Sequence, residues 1–147
     1  MADLHKNVPV PTSGANPVSG TLTAGIIFPS LSRTNATYNS DELQNAGCKG
    51  VRLYIDITNV GGAGTLVVKI QTKDPLTKNW VDVTAATSVS FTATGTRTLT
   101  VYPGITAAAG GANGSTEVSN FISEAWRIVA TVGTNAVVFS VGADYLL

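Results

Sequence analysis

VRLYIDITNV, residues 51–60, alternates along its length. Val51, Leu53, Ile55 and Ile57 are apolar, and Arg52, Tyr54, Asp56 and Thr58 stand between them. Successive side chains of a β-strand point to opposite faces, so a period of two puts one face in a core and the other in water. The glycine-rich break GGAG, residues 61–64, interrupts the run, and TLVVKIQTK, residues 65–73, resumes it with Leu66, Val68 and Ile70 facing inward. Two alternating runs around a short glycine-rich break predict a β-hairpin.

The next stretch outward, KIQTKDPLTKNWVDV at residues 69–83, holds three lysines and two aspartates of a chain with only nine basic and nine acidic residues. Asp74-Pro75 ends the strand, because proline fixes φ and cannot donate to a ladder. Leu76 to Asn79 complete a polar turn, with the Asp74 side chain accepting from the turn backbone, and Trp80, Val81 and Val83 open the following strand. The charge cluster therefore reads as a turn and not as a site.

Further strands are expected in ATSVSFT (86–92), in GTRTLTVY (95–102) with Leu99 and Val101 inward, and around Arg33 to Tyr38. AWRIVATV (125–132) and AVVFSVG (136–142) flank Gly133-Thr134-Asn135 and predict a second hairpin, with Ile128 and Val132 in the core. No window has helical spacing with capping signals. Residues 103–120 form a long Gly/Ala/Ser-rich connection. Seven or eight short strands separated by turns predict an all-β domain over residues 30–147, an antiparallel β-sandwich or a jelly-roll-like barrel.

Residues 1–29 differ. Pro9, Pro11 and Pro17 mix with Gly14 and Gly20, which suits extended chain, yet Val8, Val10, Ile26, Ile27 and Phe28 are too apolar for a plain linker. The segment is expected to be an N-terminal arm whose five apolar residues contact a partner.

Composition narrows the function. Charged residues are 12% of the chain, about half the usual quarter, and hydrophobic ones 44%. So few charges suit either a surface covered by other protein or one hydrated by Thr, Ser and Asn. The formal net charge is zero and the basic residues form no run, so nucleic-acid binding is not expected. No apolar stretch approaches the roughly twenty residues of a spanning helix, and the start has no secretion-signal pattern, so neither a membrane role nor export is expected.

Catalysis finds little support. His5 is the only histidine and lies in the arm, and Cys48 is the only cysteine, expected as a small buried hydrophobe. That is a poor start for a triad or a zinc site. Paired carboxylates remain as a minimal option, among Asp41, Glu42, Asp56, Asp74, Asp82, Glu117, Glu124 and Asp144, most of them at turns or on outward positions. Trp80 and Trp126 can serve as a sugar-stacking platform or as core, and core is the favoured reading. GGAG and AAAGGANGS precede no helix and lack the Lys-Ser/Thr ending of a phosphate loop. No enzyme, cofactor or metal is expected.

The runs VRLYIDITNV, KIQTKDPLTKNWVDV, LTVYPGITAAA and AWRIVATVGTNAVVFSVGADYLL together resemble small structural proteins of tailed bacteriophages, of the capsid decoration (cement) type. The resemblance covers residues 39–147 as an overall pattern. It implies a non-enzymatic virion protein, made in the host cytoplasm and carried on the capsid surface. Its expected partners are the major capsid protein or another virion protein and further copies of itself, as in a trimer. The alternatives are a neck, tail or fibre-associated component, or a carbohydrate-binding adhesion module.

Overall fold

The computed structural model describes residues 25–45 and 47–147. Ten strands follow one another: β1 (Gly25–Arg33), β2 (Ala36–Asn39), β3 (Leu43–Gln44), β4 (Gly50–Val60), β5 (Thr65–Lys73), β6 (Trp80–Thr87), β7 (Gly95–Val101), β8 (Thr116–Val118), β9 (Ala125–Gly133) and β10 (Val137–Leu146). They form two sheets, β1-β10-β4-β7-β8 and β2-β9-β5-β6, with the two-residue β3 added to β9. Every pairing is antiparallel except β7 with β8. The domain is thus a β-sandwich of eight main strands and two short ones, without barrel closure.

The strand order has a simple origin. The pairs β5·β6, β4·β7, β2·β9 and β1·β10 are concentric around one turn, residues 74–79. A single long antiparallel ribbon, closed at that turn and wrapped so that its two halves share sheets, generates this arrangement, which is the two-sheet jelly roll. The turn itself is the polar one read from the sequence. The Asp74 carboxylate accepts from the Leu76 N–H at 2.8 Å and the Thr77 hydroxyl at 2.7 Å, and the Asp74 N–H donates to the Asn79 carbonyl at 2.8 Å.

Both hairpins expected at glycine-rich breaks are instead crossovers between sheets. β4 and β5 lie in opposite sheets, and so do β9 and β10. Alternation reveals which side chains face inward, but a strand buries the same face whether its neighbour is beside it or across the core. The two crossovers run next to each other: the Gly61 N–H donates to the Ala136 carbonyl at 2.9 Å, Val60 pairs with Val137, and Thr65 pairs with Gly133. Gly64 has no room for a side chain there, since a Cβ would lie 2.9 Å from the Gly61 carbonyl oxygen and 3.2 Å from Val137.

Other boundaries also move. The run 86–92 does not make a strand; β6 ends at Thr87, and Phe91 makes only an isolated bridge to Leu66 while its ring is buried. The strand expected around Arg33 to Tyr38 is cut between β1 and β2, where the chain changes sheet. The sandwich takes in residues 25–29, which the sequence reading assigned to the arm. Their pairing with β10 carries register shifts between Ile26 and Phe28 and between Phe28 and Leu31. Such bulges let Ile27 and Phe28, consecutive in sequence, both turn inward.

Between the sheets lies one apolar cluster. Val51, Leu53, Ile55, Ile57, Leu66, Val68, Ile70, Leu99, Val101, Ile128 and Val132 are all buried in it, as their spacing predicts. Trp126 stands edge-on to Tyr145, ring centroids 6.0 Å apart, and Phe28 stands edge-on to Phe139. Truncation of Ile55 to Ala is expected to cost about 2–5 kcal/mol in denaturant unfolding. Tyr54→Ala, on the outward face of the same strand, should cost much less, and equal losses at both positions would overturn the assignment of faces.

Candidate interaction surfaces

The five arm residues separate into three groups. Val8 and Val10 lie outside the described residues. Ile27 and Phe28 are core residues, so they hold β1 in place and are not available as contacts. Ile26 is 59% exposed, and Leu31, which the sequence reading did not single out, is 58% exposed on the same edge strand. Across the sheet from Ile26 the register runs through Gly142 to Tyr54. The missing side chain of Gly142 leaves a shallow notch of about 210 Å³ between Ile26 and Tyr54. It lies at the start of β1, where residues 1–24 join the fold.

Arg33 fixes this edge. Its guanidinium is enclosed, with the residue 6% exposed, and it faces the rings of Phe139 at 4.4 Å, Phe28 at 5.3 Å and Tyr38 at 6.0 Å. It donates to the carbonyls of Pro29, Leu31 and Phe139. Two of those carbonyls belong to the irregular part of β1, so one side chain ties the bulged edge strand to β10. Burial lowers its pKa from the usual arginine value. The cost of desolvating the cation is offset by three hydrogen bonds and the ring faces. Nothing in the alternation around residue 33 signals this role; the clue available in the sequence is an arginine at a strand end with aromatic residues nearby.

The outer face of the other sheet is polar and paired with itself. The Lys69 ammonium meets the Asp82 carboxylate at 3.0 Å, Gln71 donates to Asp82 at 2.6 Å, and Arg127 donates to Gln71 at 2.9 Å. Lys73 meets Glu42 at 2.6 Å. Hydrogen bonds from Gln71 and then Lys69 hold Asp82 below the ordinary carboxylate pKa, and Lys73 does the same for Glu42. Asp56 accepts from the Thr96 hydroxyl, and Asp74 is spent on its turn. These carboxylates are thus used in local bonds on strands and turns. No group of three or more His, Cys, Asp or Glu among the described residues can hold a metal ion. His5 lies outside the described residues.

The two tryptophans do not share a surface. Trp126 is fully buried, as favoured, but Trp80 is half-buried on the outer face, with the Arg127 guanidinium 4.5 Å and the Lys73 ammonium 5.6 Å from its ring centre. They lie on opposite sides of one sheet, so they form no joint stacking platform. Cys48 is buried, and burial raises its thiol pKa, which disfavours the thiolate. No helix of the described residues is long and apolar enough to cross a membrane.

Replacing Arg33 by Lys should keep the charge but lose the three-carbonyl fork. The expected result is a stability loss of about 2 kcal/mol or more, read by denaturant unfolding. Hydrogen exchange should quicken at β1 before it quickens at β4. An unchanged unfolding midpoint would remove Arg33 from the account of this edge.

No protein-family model matches the chain and no curated protein matches it, so the residues themselves carry the functional reading.

Proposed function

We propose that this chain is a non-enzymatic structural protein of a tailed-phage particle, a decoration protein that binds the outside of the head and stabilises it. The observation that carries the reading is the β1 edge. It is locked into the core by Ile27, Phe28 and Arg33, it exposes Ile26 and Leu31, and it joins directly to residues 1–24 with their Val-Pro alternation. A firm anchor next to an apolar, proline-bearing segment suits attachment to another protein, because prolines reduce the entropy lost when a segment is fixed. The jelly roll agrees, since this architecture recurs in viral capsid domains, though it also recurs in lectins and carries only the weight of analogy. The partner in this reading is the major capsid protein or another virion protein, together with further copies of the chain.

Deleting residues 2–24 is expected to leave the melting temperature of the sandwich within a few degrees of the intact protein and to reduce binding to empty heads by at least about tenfold, since loss of several apolar anchors exceeds 1.4 kcal/mol. Purified particles should carry on the order of hundreds of copies, as counted by quantitative mass spectrometry. A handful of copies would favour a neck, tail or fibre position, and sugar binding with no affinity for heads would favour an adhesion module. Undiminished head binding by the deleted protein would overturn attachment through this segment.

A further inference from the structure

β1 is one edge of its sheet, and the opposite edge is built differently. β8 is bridged on its outer side by Ala108: the Ala108 N–H donates to the Glu117 carbonyl at 3.0 Å, and the Glu117 N–H donates to the Ala108 carbonyl at 2.8 Å. Residues of an extended chain direct their backbone groups alternately to the two sides. Ala107 and Ala109 flank this isolated bridge, and no backbone hydrogen bond joins either of them to another of the described residues. Beside them runs a groove of about 290 Å³ between the two sheets, lined by Ala85, Ala107, Ala108, Ala109, Val89 and Thr116 among others. Thr116 is only 5% exposed, and its hydroxyl has no hydrogen-bond partner among the described residues. A buried hydroxyl without a partner costs free energy, and this one lies in the groove wall beside backbone that pairs with no other described residue at Ala107 and Ala109.

Residues 8–12, Val-Pro-Val-Pro-Thr, have the chemistry to fill that place. In an extended strand the backbone groups of Val8, Val10 and Thr12 share one side, and those of Pro9 and Pro11 share the other. Proline has no N–H, so such a strand can pair on one side only and then ends the sheet. Its valines fall on one face and its prolines on the opposite one. As a strand, such a segment would cap an edge, and its two β-branched side chains would face a groove lined by four alanines together with Thr87, Ser88, Val89, Thr116, Glu117 and Val118.

We propose that residues 8–12 of one copy add as an edge strand beside Ala107–Ala109 of a neighbouring copy, with Val8 and Val10 in the Ala85–Thr116 groove. The donor segment leaves from β1, and the acceptor is at the far edge of the same sheet, about 24 Å away at a spacing of about 4.8 Å per strand. Occupying its own acceptor requires the segment to double back across the whole sheet. A neighbour whose acceptor edge stands beside β1 is reached directly. Pro29 and the two bulges keep β1 from pairing with that edge itself, so the added strand is what joins the copies. Donor and acceptor are different surfaces, so the contact is heterologous and closes a ring where the rotation allows. The inference rests on the self-association in the proposed function and not on the phage particle.

The test uses the purified full-length chain with Val10→Cys and Ala107→Cys, made singly and together; Cys48 is buried and does not compete. Under oxidation, a mixture of the two single variants should give crosslinked dimers, and the double variant a ladder of covalent oligomers. Val8→Asp with Val10→Asp should raise the concentration at which the oligomer dissociates by at least about tenfold while the sandwich melts as before. An intrachain disulfide in the double variant with none in the mixture would assign the groove to the chain's own segment and overturn the proposal. So would an oligomer that forms no crosslink and tolerates both aspartates, or a protein that remains monomeric. Each of these results is independent of whether the protein enters a particle, so failure here and failure of the decoration role are separable.

Discussion

The Gly61 N–H bond to the Ala136 carbonyl holds two crossovers side by side, and the order of both sheets follows from that adjacency. Once the β4–β5 and β9–β10 links are neighbours running in opposite directions, β4 must pair with β10 in one sheet and β5 with β9 in the other. Those four strands carry the most regular inward alternation and form the centre of the sandwich. The remaining main strands then add outward by ribbon pairing, β6 on β5, β7 on β4, β2 on β9 and β1 on β10. Tight packing at the crossovers is why small residues are needed there: a side chain at Gly64 would have to displace the Gly61 carbonyl or the valines on either side.

This explains what the sequence made legible. Alternation in residues 51–60 and 65–73 is a local property, and it identified inward residues correctly even though the pairing drawn from it was wrong. A hairpin and a crossover leave the same local trace when both strands bury one face. The difference lies in which distant strand supplies the partner, and that is decided by residues some seventy positions away. The turn at 74–79 was readable because it is closed by its own residues, Asp74 above all. β1 was not, because two bulges break the period on which the reading relies and hide Ile27 and Phe28 in the core. The role of Arg33 is not local either: beyond the aromatic residues near it in sequence, its partners, Phe139 and the bulge carbonyls, meet only after β10 has docked.

The scarcity of charge also acquires a location. On the outer face of the β2-β9-β5-β6 sheet, Lys69, Asp82, Gln71, Arg127 and Trp80 satisfy one another in a continuous ladder. Exposed pairs of this kind add little to stability, but they make a wet face with few unmet polar groups. The other sheet has Ile26 and Leu31 at one edge and the alanines of 107–109 at the other. Exposed apolar side chains also stand on the β2-β9-β5-β6 sheet and its loops, with Val81 on β6, Leu76 in the turn after β5 and Phe121 before β9, so it is the ladder face alone that is hydrated.

A two-sheet sandwich, unlike a closed barrel, leaves edges whose backbone groups can recruit a stranger. The edges here are treated unequally. β1 carries Pro29 and two bulges, β2 is only four residues long, and β6 is interrupted by a bulge with Ala85 at φ 62°. Each of these devices shortens or bends a strand so that a second chain cannot lie along it. Ala107–Ala109 has none of them: no proline, no charge and side chains too small to fend off a neighbour. Alanine is also a poor choice for a bare edge on propensity grounds, since it gains little from a pleated surface of its own. Small side chains there make sense where another strand must come close, because they let its backbone and its larger residues approach the Thr116 wall. The edge that lacks protection is therefore the one whose chemistry fits being covered, and the valines that alternate with proline in residues 8–11 are matched to it in size, period and one-sided hydrogen bonding.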